Sequence, residues 1–210
     1  MNFFIAGTDT NVGKTYITSL LLRSLRDNGV NAIGYKPICC GERTDAEILS
    51  QASGGASMDE VNPLWLKTPV APWVAAQLEN RNINPQPLVQ AWKSLTIRYP
   101  SVLVEGCGGW EVPITDSYSM ADLAREMGLP VILVIANKLG AINHSVLTVQ
   151  AIRASGLNLA GIILNHLVDE LDTACITNKK IIPQLCQAPL LAEVINGQDW
   201  IDLDWPASSL

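Results

Sequence analysis

Apolar positions along the chain fall into two kinds of run. Short blocks occupy Asn2–Ala6, Asn31–Tyr35, Ser101–Glu105, Val131–Ala136, Leu159–Leu164 and Leu190–Val194, and their nearly continuous hydrophobicity is that of strands buried on both faces. Between them, apolar residues return every three or four positions, the spacing of an amphipathic helix. The clearest case is Lys14–Asn28, where Ile17, Leu20, Leu21 and Leu25 share a face and Asn28-Gly29 supplies a stop signal. The same spacing predicts helices over Asp45–Ala52, Val70–Glu79, Pro87–Arg98, Ala121–Met127, Asn143–Ala154 and Leu171–Leu185. Strands alternating with helices predict βαβ units, and hence an α/β fold with a mostly parallel central sheet flanked by helices on both faces. The tail Ile201–Leu210 has little pattern and is expected to cap an edge or fray.

Composition sharpens this picture. Apolar residues make up 48% and charged residues 16% of the 210 positions, well below the usual charged fraction of about 25%, as doubly covered strands require. With no repeat or linker, residues 1–210 are expected to form one domain. A net charge of −6 and a pI of 4.8 argue against a nucleic-acid partner, because that affinity comes mainly from Lys and Arg on phosphates. The first residues lack the charged and apolar segments of a signal peptide, and no run is apolar for long enough to cross a bilayer. A cytoplasmic location without membrane contact is expected. The five cysteines, Cys39, Cys40, Cys107, Cys175 and Cys186, contain no C-x-x-C pair and read as small buried hydrophobes.

Candidate chemistry begins where the first strand gives way to the first helix. The run Gly7-Thr8-Asp9-Thr10-Asn11-Val12-Gly13-Lys14-Thr15 has the strand–loop–helix context of a phosphate loop. There, backbone N–H groups and the helix N-terminus cradle phosphate oxygens, Lys14 reaches the outer phosphates, and the Thr15 hydroxyl joins Mg²⁺. The pattern G-x-x-x-x-G-K-[ST] would put glycine at position 8, but Thr8 stands there and Gly7 lies one residue early. Glu105 ends an apolar strand before a Gly-rich loop, at the carboxyl edge where open α/β sheets bind ligands. Asp45 opens a helix soon after the second strand, on the same expected edge; on position alone it reads more often as a helix cap. Lys36, stiffened by Pro37, sits there too.

The loop spelling Gly-Thr-Asp-Thr-x-Val-Gly-Lys-Thr resembles that of the dethiobiotin synthetase family. The likeness continues in order through Gly34-Tyr35-Lys36-Pro37-Ile38, Thr44-Asp45-Ala46, Asn62-Pro63, Ala71-Pro72, Val104-Glu105-Gly106-Cys107-Gly108-Gly109-Trp110, Lys138-Leu139-Gly140-Ala141-Ile142-Asn143-His144 and Ala188-Pro189-Leu190-Leu191. It implies a P-loop NTPase-like fold and an ATP- and Mg²⁺-dependent ligase, homodimeric, that carboxylates 7,8-diaminopelargonate with CO₂ and closes the ureido ring of dethiobiotin. It implies Lys36 and Lys14 as catalytic, and Thr15, Asp45 and Glu105 as metal ligands. Nucleotide contacts would come from Thr10, Asn11, Val12, Gly13, Lys14, Thr15, Tyr16, Asp45, Glu105, Gly106, Cys107, Gly108, Asn165 and His166. Substrate contacts would come from Lys36, Cys40, Gly108, Asn143 and His144. The sequence departs from the family at Cys40, where a small hydroxyl residue is usual, and around Ile195–Gly197, which is hard to match to the family's adenine-side segment.

Two rivals follow from the same loop. A switch or partition ATPase of the related group would carry an additional lysine early in the loop, where Thr8, Asp9 and Thr10 stand. An amidoligase of the cobyrinate-synthase type needs a glutaminase domain, for which 210 residues leave no room.

Overall fold

Six parallel strands form the centre of the computed structural model, which describes residues 1–203. They are β1 (Asn2–Gly7), β2 (Ala32–Tyr35), β5 (Ser101–Glu105), β6 (Val131–Ala136), β7 (Leu159–Asn165) and β8 (Leu190–Val194), and they lie in the order β2-β5-β1-β6-β7-β8. All five ladders are parallel. Every residue of β5 and β6 is buried, so the continuous apolar runs do mark strands covered on both faces.

The helices are α1 (Lys14–Asp27), α2 (Thr44–Ala52), α3 (Met58–Val61), α4 (Pro72–Leu78), α5 (Gln86–Arg98), α6 (Met120–Met127), α7 (Ala141–Ala154) and α8 (Thr173–Cys186). The predicted stop of α1 is a Schellman turn: Gly29 N–H donates to Arg26 C=O and Val30 N–H to Leu25 C=O, with Gly29 at φ 79°. α4 starts at Pro72, two residues later than expected, because proline suits the first helical position. α7 starts earlier than expected, at Ala141, after a left-handed Gly140. α8 starts later, where the Asp172 side chain accepts from Cys175 N–H.

Three short elements escaped the sequence reading. β3 (Ile38–Cys40) and β4 (Leu64–Leu66) pair in parallel as a separate ribbon, and α3 is a single turn closed by a capping box from Ser57 and Glu60. Three or four residues are too few for a period to register. Of the tail, Ile201 is buried in the core and Leu203 packs against it, which makes the first residues a cap; residues 204–210 lie outside the described residues.

α1 and α2 approach the sheet most closely over β2. A Cβ on Gly34 would come within 2.8 Å of Leu22 Cδ1 and 3.1 Å of Leu49 Cβ. Gly34→Ala is therefore expected to overpack this junction and lose about 1–3 kcal/mol of stability. Urea unfolding would measure it, and an unchanged midpoint would mean that the two helices can give way.

Candidate active site

Parallel register delivers the site. Ile5 is level with Glu105 and Tyr35 with Val104, so the residues that leave β1, β5 and β2 emerge side by side: the glycine loop, Glu105 and Lys36. They border a cleft of about 730 Å³.

The loop closes tightly on itself. Lys14 is buried, and its Nζ donates to the Asp9 carbonyl at 2.9 Å. A Cβ on Gly7 would lie 2.8 Å from Val12 Cγ2 and 2.9 Å from Lys14 Nζ. The early glycine thus has a use of its own: a side chain at position 7 would crowd Val12 and the folded-back Lys14. Gly13 holds φ 90°, and a Cβ there would fall 2.1 Å from Asn165 Nδ2. That amide donates to the Val12 carbonyl at 2.9 Å and so fixes the loop from the end of β7, while its Oδ1 is buried without a hydrogen-bond partner among the described residues.

Beneath the loop lies a compact charge cluster. Glu105 is wholly buried; its Oε1 accepts from Thr15 Oγ1 at 2.7 Å and from Lys36 Nζ at 2.5 Å, and its Oε2 has no hydrogen-bond partner among the described residues. Lys36 Nζ also donates to Asp45 Oδ2 at 2.9 Å. Burial alone would lower the Lys36 pKa, but attraction to Glu105 and Asp45 outweighs it and holds the ammonium charged. The Asp45 carboxyl is desolvated, yet Lys36 and the Thr15 hydroxyl keep its pKa below the usual range. Lys14 behaves oppositely: burial first, then repulsion from Lys36, brings it down to about 8. One lysine is locked in place by carboxylates, while the other has no ion-pair partner among the described residues.

These residues fit Mg²⁺. Thr15 Oγ1, the Asp45 carboxylate and Glu105, with one oxygen unpartnered, are hard oxygen donors, and two carboxylates completed by phosphate oxygens and water are a usual magnesium environment.

Thr10, Asn11, Gly13, Lys14, Thr15, Tyr16, Lys36, Cys40, Asp45, Glu105, Cys107 and Gly108 all line the cleft. Val12 is buried in the loop and Gly106 packs on Phe4. His166 turns away beneath the sheet edge, between Asn137 and Glu193, whose Oε1 lies 2.9 Å from its Nε2. Asn143 and His144 are in the first turn of α7 and do not line this cleft. Asn143 borders a second depression, with Leu139, Ile142, Val146, Thr173 and Thr177.

The segment after β8 folds back onto α1, where the Tyr16 hydroxyl donates to the Gln198 carbonyl, and Asn196 Nδ2 donates to Asp169 Oδ1. Of the cysteines, Cys39, Cys175 and Cys186 are buried as expected, whereas Cys40 and Cys107 are half-buried and face the cleft. Sequence reasoning also missed Cys39, Pro69, Val70, Ala71 and Val112 as cleft walls, and it missed Asn62 as the support of Lys36. Asn62 Nδ2 donates to the Lys36 carbonyl at 2.8 Å, and Lys36 N–H donates to the Val61 carbonyl. The Asn62-Pro63 pair was the available signal.

A glycine loop joining strand to helix, a buried lysine, and a hydroxyl beside a carboxylate at the sheet's carboxyl edge define a P-loop nucleotide-binding protein. The fold agrees: it is similar to the septum site-determining protein MinD complexed with Mg-ADP from Pyrococcus horikoshii, with a TM-score of 0.59 at 18% identity over 94% of this chain and 82% of that one. A ParA family ATPase from Chlorobium tepidum matches with a TM-score of 0.58 at 12% identity over 94% and 85%. A family model described as an AAA domain matches residues 1–199. Among curated proteins, the chain is 47% identical to the ATP-dependent dethiobiotin synthetase BioD of Akkermansia muciniphila over 97% of this chain and 96% of that one. It is 36% identical to that of Bacillus subtilis over 90% and 84%. The chain belongs to the dethiobiotin synthetase family.

Proposed function

We propose that this chain is an ATP-dependent ligase that converts 7,8-diaminopelargonate and CO₂ to dethiobiotin, a step of biotin biosynthesis. An amine of the substrate and CO₂ form a carbamate, ATP phosphorylates the carbamate, and the neighbouring amine closes the ring as phosphate leaves. The observation that carries this reading is Lys36, held charged between Glu105 and Asp45 in the wall of the phosphate-loop cleft. A fixed cation there stabilises charge that develops on carbamate and transferring phosphoryl oxygens.

Lys14 and the loop N–H groups would hold the phosphates, with Asn165 on the base side. Thr15, Asp45 and Glu105 would hold Mg²⁺, which supplies charge neutralisation of the phosphates. Cys40 and Gly108 line the cleft where the diamine would lie. Asn143 and His144 border other surface of the same chain, and their part in binding a substrate carboxylate rests on a homodimer in which α7 of one subunit meets the cleft of the other. A homodimer in the cytoplasm and one ligase domain over residues 1–210 belong to the same reading.

ADP release measured with and without diaminopelargonate and bicarbonate tests it. Turnover is expected only when both are present, and equal hydrolysis without them would support a switch ATPase instead. Glu105→Gln is expected to raise the Mg²⁺ concentration for half-maximal turnover roughly tenfold or more, while metal-free ATP binding changes less, since a neutral amide loses the charge attraction to a hard cation. Metal titration of both quantities would check this, and an unchanged Mg²⁺ requirement would remove Glu105 from the ligand set.

A further inference from the structure

Lys36 and Asp45 meet at 2.9 Å, yet they stand on separate elements: Lys36 leaves β2, and Asp45 lies in the first turn of α2, with β3 between them in the chain. One residue outside the cleft joins the two. Arg43 immediately precedes α2, and its carbonyl accepts from Glu47 N–H in the first turn of that helix. Its guanidinium forks onto Asn62, with Nε donating to Oδ1 at 3.1 Å and Nη2 to the backbone carbonyl at 3.0 Å. Asn62 is buried, and its Nδ2 donates onward to the Lys36 carbonyl at 2.8 Å and to the Leu64 carbonyl at 3.1 Å. The amide orientation is therefore fixed, because only its oxygen can accept from Arg43 and only its nitrogen can donate to the two carbonyls. The guanidinium also lies over the Trp65 ring, 5.4 Å from its centroid, and Trp65 Nε1 donates to the Gly41 carbonyl at 2.7 Å.

We propose that Arg43 is a positioning residue for the ligase reaction, an inference that rests on the function proposed above: its fork onto Asn62 sets where Asp45 stands relative to Lys36 and Glu105. A planar guanidinium meets two acceptors of one residue at once and stacks on an aromatic ring, which an ammonium does less well. Arg43 does not line the cleft, so it acts through the side chains it places.

The link runs in both directions from Asn62. Without Arg43, Asn62 Oδ1 loses its donor in a site closed to bulk water, and the amide is free to turn in search of another. Turning takes Nδ2 off the Lys36 carbonyl. The first turn of α2 meanwhile loses its tie to the segment that enters β4, and Asp45 moves with it. A displacement of about 1 Å among groups that hold reacting atoms costs up to about 10²-fold in rate.

Arg43→Ala is expected to lower kcat per folded molecule by about ten- to a hundredfold, with the KM for ATP within about threefold of wild type. Urea unfolding supplies the folded fraction, so a merely structural role would show as a lower midpoint with native kcat and KM. A second reading needs no turnover: the Kd of ADP, measured calorimetrically with and without Mg²⁺. Because the fork places Asp45, the gain in ADP affinity on adding Mg²⁺ is expected to shrink at least about threefold, while the metal-free Kd stays within about twofold. Arg43→Lys keeps the charge and the stem over Trp65 but not the fork, and its kcat is expected within about threefold of that of Arg43→Ala. If Arg43→Ala does not fold, Arg43→Lys decides on the same readings. A native kcat per folded molecule, or a Mg²⁺-linked gain as large as in the wild type, would overturn the proposal. Full recovery by lysine would overturn it too, since charge rather than the fork would then be what matters. Wild-type protein without diamine-dependent turnover would count against the ligase reading alone, and the Mg²⁺-linked ADP affinity would still decide whether Arg43 places Asp45.

Discussion

Lys36→Gln is expected to lower kcat by roughly 10²–10³, about 3–4 kcal/mol, with little change in the KM for ATP. The lysine is pinned at 2.5 Å to Glu105 and 2.9 Å to Asp45, so its charge is preorganised and needs little rearrangement as oxyanions develop. An interaction made only in the transition state lowers kcat and kcat/KM together, whereas uniform binding would raise KM. Steady-state kinetics at saturating diaminopelargonate and bicarbonate measure the split. A kcat within about threefold of wild type would leave Lys36 no catalytic role. The same variant leaves Glu105 buried with one partner fewer, so its folding must be checked by denaturant unfolding before the kinetics are read.

Lys14→Ala is expected to remove turnover to the limit of detection, a loss of about 10³ or more, because the variant deletes the cation that meets the outer phosphates. Its stability should move the other way. A lysine whose pKa falls from 10.5 in the unfolded chain to about 8 in the fold binds fewer protons when native between those pH values. Stability therefore rises with pH through that window and is reduced below it. The penalty near neutrality is of order 3 kcal/mol. Unfolding free energies at pH 7.5 and pH 9.5 should show a gain with pH in the wild type that is missing in Lys14→Ala. An inactive variant that is also much less stable would mean that Lys14 serves the fold rather than the phosphates.

Legibility in the sequence followed element length and the reach of each contact. Six buried strands and seven helices were readable because their apolar spacing extends over enough residues to define a period. The ribbon of Ile38–Cys40 and Leu64–Leu66 was not, since its stability comes from pairing across a long separation. At the site, Lys14, Thr15 and Glu105 could be placed from strand–loop–helix context. The Lys36–Asp45 contact needed the register of β2 against β5 and the start of α2. Asn62, which anchors the Lys36 backbone, was visible only as half of the Asn62-Pro63 pair, which does not say what it holds, and His166 was misdirected by its neighbour Asn165: successive residues leaving a strand face opposite ways, so only one of the two could turn toward the loop. For Cys40 and Cys107 composition suggested only burial, since it cannot say which wall of a cleft a side chain joins; the family resemblance had named both as site residues, and both line the cleft.

The strand order has a further consequence, for the way the chain acquires its structure. β1 is made first, yet its two neighbours in the sheet are β5 and β6, and Val102 N–H, which donates to Asn2 Oδ1, lies 100 residues downstream. During synthesis β1 therefore has no neighbouring strand until β5, ending at Glu105, has left the ribosome, and its second edge stays open until β6, ending at Ala136, follows. Non-local parallel pairing of this kind folds slowly and leaves sticky surface uncovered in the interval, so the phosphate loop, attached to that waiting strand, is held back with it.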